Sequence, residues 1–504
     1  MKLICAALAG LYSVSAMADA PDQPFKSLAR LDESRPAAVE ASVTSLRMPT
    51  GQRVSMLGMS YLLALNDDWG FGPSAYGAAK GNFGGLITFG ATAQRRWRLS
   101  ASTHLAASLY VGAGGGLSSS QIHFGGGLML RPEISIRTEV NDWYVGTSLS
   151  YIDFPSGNVH GGGISVVLGR AVNFASFSPR DAGREASISS RTGLGFDEIS
   201  LFGGAYSPRA SSLNRSGVPM SGRMYTAGAE LRRYFVPGSW WGVEAAGAAH
   251  GGADGYMEGM GVAGQDWSVG GSALRVGAEL GLGLGGGGNV DTGNGWLWRA
   301  GPTVRWQSPW GASLHLDAGL VDSLSGRFSA RYVRAGLTLP LDLGASAGDD
   351  VGVVREQSLG IGVMHLPHVR FKDGSTDAIT PLVLLMTHEF SPHIYGVAQA
   401  GSAAWGHAGA YSIGLFGLGA QSSPAFGGMR FGVEGLVGAA GGGGVDVSGG
   451  GVAQGEVWAQ WTGDRLRLRA GVGQWRTLRA DAGQRQSSSL FEINLGYAFG
   501  VLAR

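Results

Sequence analysis

Cysteine is all but missing from this chain: Cys5 is the only one in 504 residues. A disulfide framework, a thiolate metal centre and a CxxCH haem attachment are therefore excluded. Lysine is scarce as well, occurring only at positions 2, 26, 80 and 372. Charged residues make up 15% of the chain and the formal net charge is +1, so nothing here is suited to nucleic acid. Beyond the first residues no apolar run approaches the ~18 residues of a spanning helix without a polar or glycine interruption. Glycine is abundant, at 88 residues, but without the strict three-residue period of collagen.

The first twenty residues, MKLICAALAGLYSVSAMADA, are of another kind. Lys2 precedes an apolar run to Val14, and Ala16-Met17-Ala18 offers small residues at a cleavage point, the layout of a secretory signal peptide. Removal of 1–18 would take Cys5 with it. Residues 19–53 carry prolines and charges with little alternation, and read as a periplasmic extension, a plug, or a docking peptide.

From Val54 onward the chain alternates. In LRVGAELGLGL, Leu274, Val276, Ala278, Leu280, Leu282 and Leu284 share one side, and Arg275, Gly277, Glu279, Gly281 and Gly283 the other. A period of two is that of a strand with one face for hydrocarbon and one for packing, polar groups or water. The pattern recurs three times. Glycine runs at 114–116, 285–288 and 441–444 each follow a strand of small and apolar residues. RVGAE (Arg275–Glu279) and RFGVE (Arg430–Glu434) match closely, while HLAAS (His104–Ser108) keeps the pattern without the charges. Later strands include GASLHLDAGL, with His315 and Asp317 on one face, and RLRLRAGVG, with Arg465, Arg467 and Arg469 opposite leucines and valine. The units close on GISVVLGRAVNF, YVRAGLTLPLDL and LFEINLGYAFG.

Export, no spanning helix and alternating strands resemble the Gram-negative outer-membrane β-barrel proteins as a class; no motif points to a particular family. The resemblance implies an all-β fold in the cell outer membrane, with lipids as partners. It also implies an aromatic residue at the chain end, whereas here five residues follow Phe499. Roughly eight strands per unit predict one antiparallel transmembrane barrel of about 22–26 strands, with segments at 54–180, 196–345 and 355–504. Three tandem eight-stranded barrels are the alternative, since each could close its own edges. Trp69, Tyr76, Trp97, Trp143, Trp240, Trp241, Trp306, Trp310 and Trp475 are expected to form interfacial girdles.

The search for chemistry yields no catalytic, cofactor or metal site. His365 and His368, in HLPH, have Pro367 between them and no completing carboxylate set, even with His388 and Glu389 nearby. GAGGGL and LGGGGNV lack the helix and lysine of a phosphate cradle, so their glycines are read as turns or places of close sheet packing. The expected lumen-lining residues are Arg275, Glu279, His315, Asp317, Arg430, Glu434, Arg465, Arg467 and Arg469. They would either set the field of a channel or pair across strands to satisfy one another. The leading function is a channel or export pore for polar solutes or polymers. The second is a scaffold anchoring or sheathing an envelope assembly, with a periplasmic or surface protein partner. A lipid-modifying hydrolase ranks third, on analogy of fold alone.

Overall fold

A computed structural model describes residues 28–503 apart from 30, 32, 117, 120, 189, 310, 343–350 and 481–484. The expected signal peptide lies outside the described residues. The first barrel is built from β1 (Glu33–Arg47), β2 (Arg53–Ala64), β3 (Trp69–Lys80), β4 (Ile87–Arg98), β5 (Thr103–Gly115), β6 (Leu128–Val140), β7 (Trp143–Asp153) and β8 (His160–Ser176). A connecting segment carries the short β9 (Glu185–Ser187). The second barrel runs through β10 (Glu198–Pro208), β11 (Met224–Val236), β12 (Ser239–His250), β13 (Met257–Ser268), β14 (Leu274–Gly286), β15 (Trp296–Gln307), β16 (Ser313–Ser323) and β17 (Ser329–Pro340). The third has β18 (Val351–Arg370), β19 (Thr376–Ser391), β20 (Ile394–Trp405), β21 (Ser412–Gln421), β22 (Met429–Gly441), β23 (Gly451–Thr462), β24 (Leu466–Thr477) and β25 (Ser487–Ala503).

One wide barrel is thus replaced by three narrow ones, the tandem arrangement. Alternation and strand length suit either architecture; the seams decide. β1 pairs with β8, β10 with β17 and β18 with β25, all antiparallel, so each repeat closes on itself and leaves no edge. In the third barrel β18 also carries β9 on its first residues, Val351–Val353. The stretch 19–53 needs a second correction, because Glu33–Arg47 within it is the first barrel's opening strand. Its alternation is partly hidden by Pro36 and by the small residues between Val39 and Val43, which face outward, and Glu40 and Thr44, which are buried within.

Outward faces are apolar in every barrel. Leu280 and Leu282 on β14, Ile134 and Ile136 on β6, and Leu466 and Leu468 on β24 are all about half exposed. Trp69, Trp97, Trp143, Trp241, Trp267, Trp306 and Trp461 project outward from one end of the strands, a girdle at headgroup depth. That end also carries the shorter connections, such as 141–142, 237–238 and 392–393, which marks it as periplasmic. Tyr76, Trp240 and Trp475 do not belong to the girdle: they point inward and are buried. Trp240 lies under the Arg232 guanidinium at 4.2 Å, a pairing across strands that periodicity alone does not reveal. Trp310 lies outside the described residues.

The barrel interiors are filled. Toward the outer end each holds an apolar cluster, for example Tyr76, Tyr110, Phe124, Ile152 and Phe154 in the first. Deeper down, buried ions take over. Glu40 and Arg137 pair in the first barrel, and Arg131 meets Glu133 at 2.5 Å. In the second, Arg299 and Arg334 both grip Glu244, at 2.6 and 2.5 Å.

Candidate functional site

The three barrels meet in a closed cycle of contacts about a common axis, and the glycine runs form the joints. Each contact at the outer end is made by a loop of one barrel on the glycine run of the next. Gly85, after β3, faces the run that follows β14: a Cβ placed on it would lie 2.5 Å from the Gly287 nitrogen. Gly255, after β12, faces the run after β22, with 2.6 Å between such a Cβ and the Gly442 nitrogen. Ala410, after β20, completes the cycle against Gly115 at the end of β5, where an added Cβ would meet the Ala410 nitrogen at 2.8 Å. Gly85, Gly255 and Ala410 all have left-handed backbones, with φ of 89°, 89° and 86°. Two of the three are glycine because that conformation opposes a side chain and because the neighbouring backbone leaves no room for one.

Polar ties reinforce the joints. Between the first and second barrels, Gly84 N–H donates to the Gly293 carbonyl (3.1 Å), and Trp296 Nε1 donates to Ala79 O (2.7 Å). Lys372 pairs with Asp254 at 2.6 Å between the third and second. Gly409 N–H donates to Gly125 O (2.9 Å) between the third and first.

Inside this ring lies a cavity of about 620 Å³, lined by loop residues of all three barrels. Most of its wall is glycine backbone, with Arg215, His123, His407, Ser156 and Asn289 adding polar groups. Arg215 Nη2 donates to Gly84 O at 2.5 Å and Nε to Val290 O at 3.4 Å. Burial holds its guanidinium below the ordinary arginine pKa, with the charge of Asp291 acting the other way. At the periplasmic end the barrels are joined differently, through the described residues of segment 177–197. Gly193 N–H donates to Ala175 O of the first barrel (2.8 Å), Thr192 N–H to Asp342 Oδ2 beyond the second (2.6 Å), and Leu502 N–H of the third to Thr192 Oγ1 (3.1 Å).

The residues expected to line one lumen are divided between two barrels, and most are engaged in ion pairs. Glu279 bonds Arg299 (2.7 Å) and Arg334 (2.9 Å). Asp317 meets Arg334 at 3.2 Å, and Arg275 approaches Asp266 at 3.9 Å near the periplasmic end. In the third barrel Glu434 pairs with Arg469 (2.7 Å), Arg467 with Glu356 (2.9 Å) and Arg430 with Glu389 (3.0 Å). Arg465 Nη1 reaches Ser176 Oγ of the first barrel at 3.4 Å. His315 Nδ1 lies 3.2 Å from Thr338 Oγ1, but its Nε2 is 3.7 Å from Asp317, beyond hydrogen-bond reach, so no Asp–His–hydroxyl relay forms. All three side chains are buried among arginines, which leaves a substrate no access to them in this arrangement. His365 bonds Thr380 (2.8 Å) and His388 bonds Gln357 (2.9 Å), so the HLPH histidines and His388 are not brought to one centre. Glu230, Glu244 and Glu279 do cluster, but arginines neutralise them.

Sequence reasoning located the glycine runs and missed Arg215, Asn289, His123 and the cavity they share. The three runs at matching positions were the available signal.

No family model matches the chain, and no curated protein does. Among solved structures it is similar to the siderophore receptor PirA from Acinetobacter baumannii at 9% identity and a TM-score of 0.29, covering 94% of this chain and 81% of that one. For the ferric enterobactin receptor PfeA from Pseudomonas aeruginosa, a complex with enterobactin gives 9% and 0.27, covering 94% and 82%. A bacterial polysaccharide outer membrane secretin gives 10% and 0.18, covering 92% and 98%. At scores this low nothing is carried over from them. The class follows from the chain's own features, closed barrels with apolar outer faces and a tryptophan girdle: it is a β-barrel protein of the cell outer membrane, in contact with lipid.

Proposed function

We propose that this chain is an outer-membrane scaffold: three sealed barrels clamped around one axis, presenting the glycine-lined cavity to an envelope or surface partner. The observation that carries this reading is the filling of the barrels. Apolar clusters stack on buried ion pairs in each, so the described residues leave no wide lumen for solute. An eight-stranded barrel is just wide enough for side chains to fill, which is the physical reason. The test is conductance of the purified full chain in a planar bilayer. A flat record is expected; stable, long-lived open steps would sink the scaffold reading.

Transport is the second reading, and one observation favours it: the cavity lies on the axis between the barrels, where a path could avoid all three interiors. Passage there would have to go by the segment 177–197. Conductance steps changed by Leu194→Asp in that segment, and unchanged by Glu244→Gln inside the second barrel, would select this route.

A further inference from the structure

The cavity's chemistry is one-sided. No carboxylate lines it among the described residues, whereas Arg215, His123 and His407 do. Arg215 makes no ion pair among the described residues: carbonyl oxygens hold its guanidinium, and the nearby Asp291, whose charge it feels, is paired with Arg327 at 2.6 Å. A half-buried cation held by neutral acceptors gains most from an anion placed beside it.

The backbone points the same way. Gly287, Gly288 and Asn289 have successive φ values of 92°, 54° and 61°, and Gly442, Gly443 and Gly444 have 89°, 57° and 75°. Val290 N–H donates to Gly287 O and Val445 N–H to Gly442 O, so each run closes a tight turn, a conformation whose successive central N–H groups form an anion-holding nest. The N–H groups of Gly288, Asn289, Gly443 and Gly444 donate to no protein acceptor among the described residues, and all four residues line the cavity. Two barrels supply these nests in matching positions, and the loop after β10 supplies the arginine.

We propose that this cavity is a binding site for a phosphate or phosphate-ester anion, held by Arg215 and the two glycine nests. The same chemistry suits two sources, dissolved phosphate and a phosphorylated lipid headgroup, and the experiment separates them. The assignment deepens the scaffold reading by naming what the cavity holds. It is read by binding and not by conductance, so the two can fail separately.

The experiment uses the full chain. Inorganic phosphate is titrated into detergent-solubilised protein by calorimetry. Separately, the protein is recovered from phosphatidylcholine nanodiscs containing a minor share of phosphatidic acid, and retained lipid is identified by native mass spectrometry. Two variants accompany the wild type. Arg215→Gln removes the cation; Asn289→Asp sets a carboxylate at the cavity and leaves the Arg215 tether to Gly84 intact. One phosphate per chain, weakened at least about tenfold in both variants, supports the site for the free anion. Selective retention of phosphatidic acid without phosphate binding, lost in both variants, supports it for the headgroup. Binding of neither probe, or binding that Asn289→Asp leaves unchanged in a protein of unchanged melting temperature, overturns the proposal.

Discussion

The two ends of the axis are joined by opposite means. At the outer end one contact is made three times, backbone against backbone, at Gly85, Gly255 and Ala410. At the periplasmic end one segment, 177–197, is used once and holds all three barrels through ordinary hydrogen bonds and buried side chains such as Phe177 and Thr192. A repeated joint has to suit three sequences at once, and backbone contact is the part that sequence drift alters least. A unique joint can use whatever side chains its one setting allows. The periplasmic joint therefore tolerates a change at one position better than the ring does.

The largest effect expected is a control beneath both ends. Glu244→Ala leaves Arg299 and Arg334 without their shared carboxylate inside the second barrel. A loss of about 3–5 kcal/mol in urea unfolding from micelles is expected, with both joints still formed before unfolding. Next is Gly255→Val, which sets a β-branched side chain on a left-handed backbone against Gly442. The expected cost is about 3 kcal/mol, read by the same unfolding. Its specific mark is loss of the zero-length carbodiimide crosslink between Lys372 and Asp254, seen in tryptic peptides. Thr192→Val at the periplasmic end removes the acceptor of Leu502 N–H, and about 1–2 kcal/mol should follow, with that crosslink retained. If Thr192→Val also abolished the crosslink, the two ends would not be independent joints.

The smallest effect runs the other way. Ala410 is the one non-glycine residue among the three left-handed ring positions. Relief of its backbone strain, less the entropy that glycine adds to the unfolded chain, makes Ala410→Gly stabilising by about 1 kcal/mol. A fall in melting temperature would show that the Ala410 methyl, packed toward Gly115, outweighs the strain.

Much of the fold was legible in the sequence because a strand's two faces are written in every second residue. LRVGAELGLGL places Leu280 outside and Glu279 inside without any further information. The opening strand β1 was not legible, since Pro36 and small outward residues blur its period. Nor were the inward Trp240 and Trp475, because an aromatic near a strand end fits a girdle or a filled interior equally well until its cross-strand neighbours are known. Of the candidate site, the glycine runs could be read but not their partners. Arg215 sits in a loop whose only distinction is that it folds over another barrel.

The amino-acid order by itself determined an antiparallel sheet with lipid on one side, repeated three times, because alternation is a local property of the chain. Which strands close on which, and what the glycines touch, were decided only in three dimensions. One large cylinder and three small ones use the same strand pattern, and they differ in pairings between residues more than a hundred positions apart, such as Ala37 with Val172. The cavity follows from that choice, since its wall exists only where three closed barrels lean together.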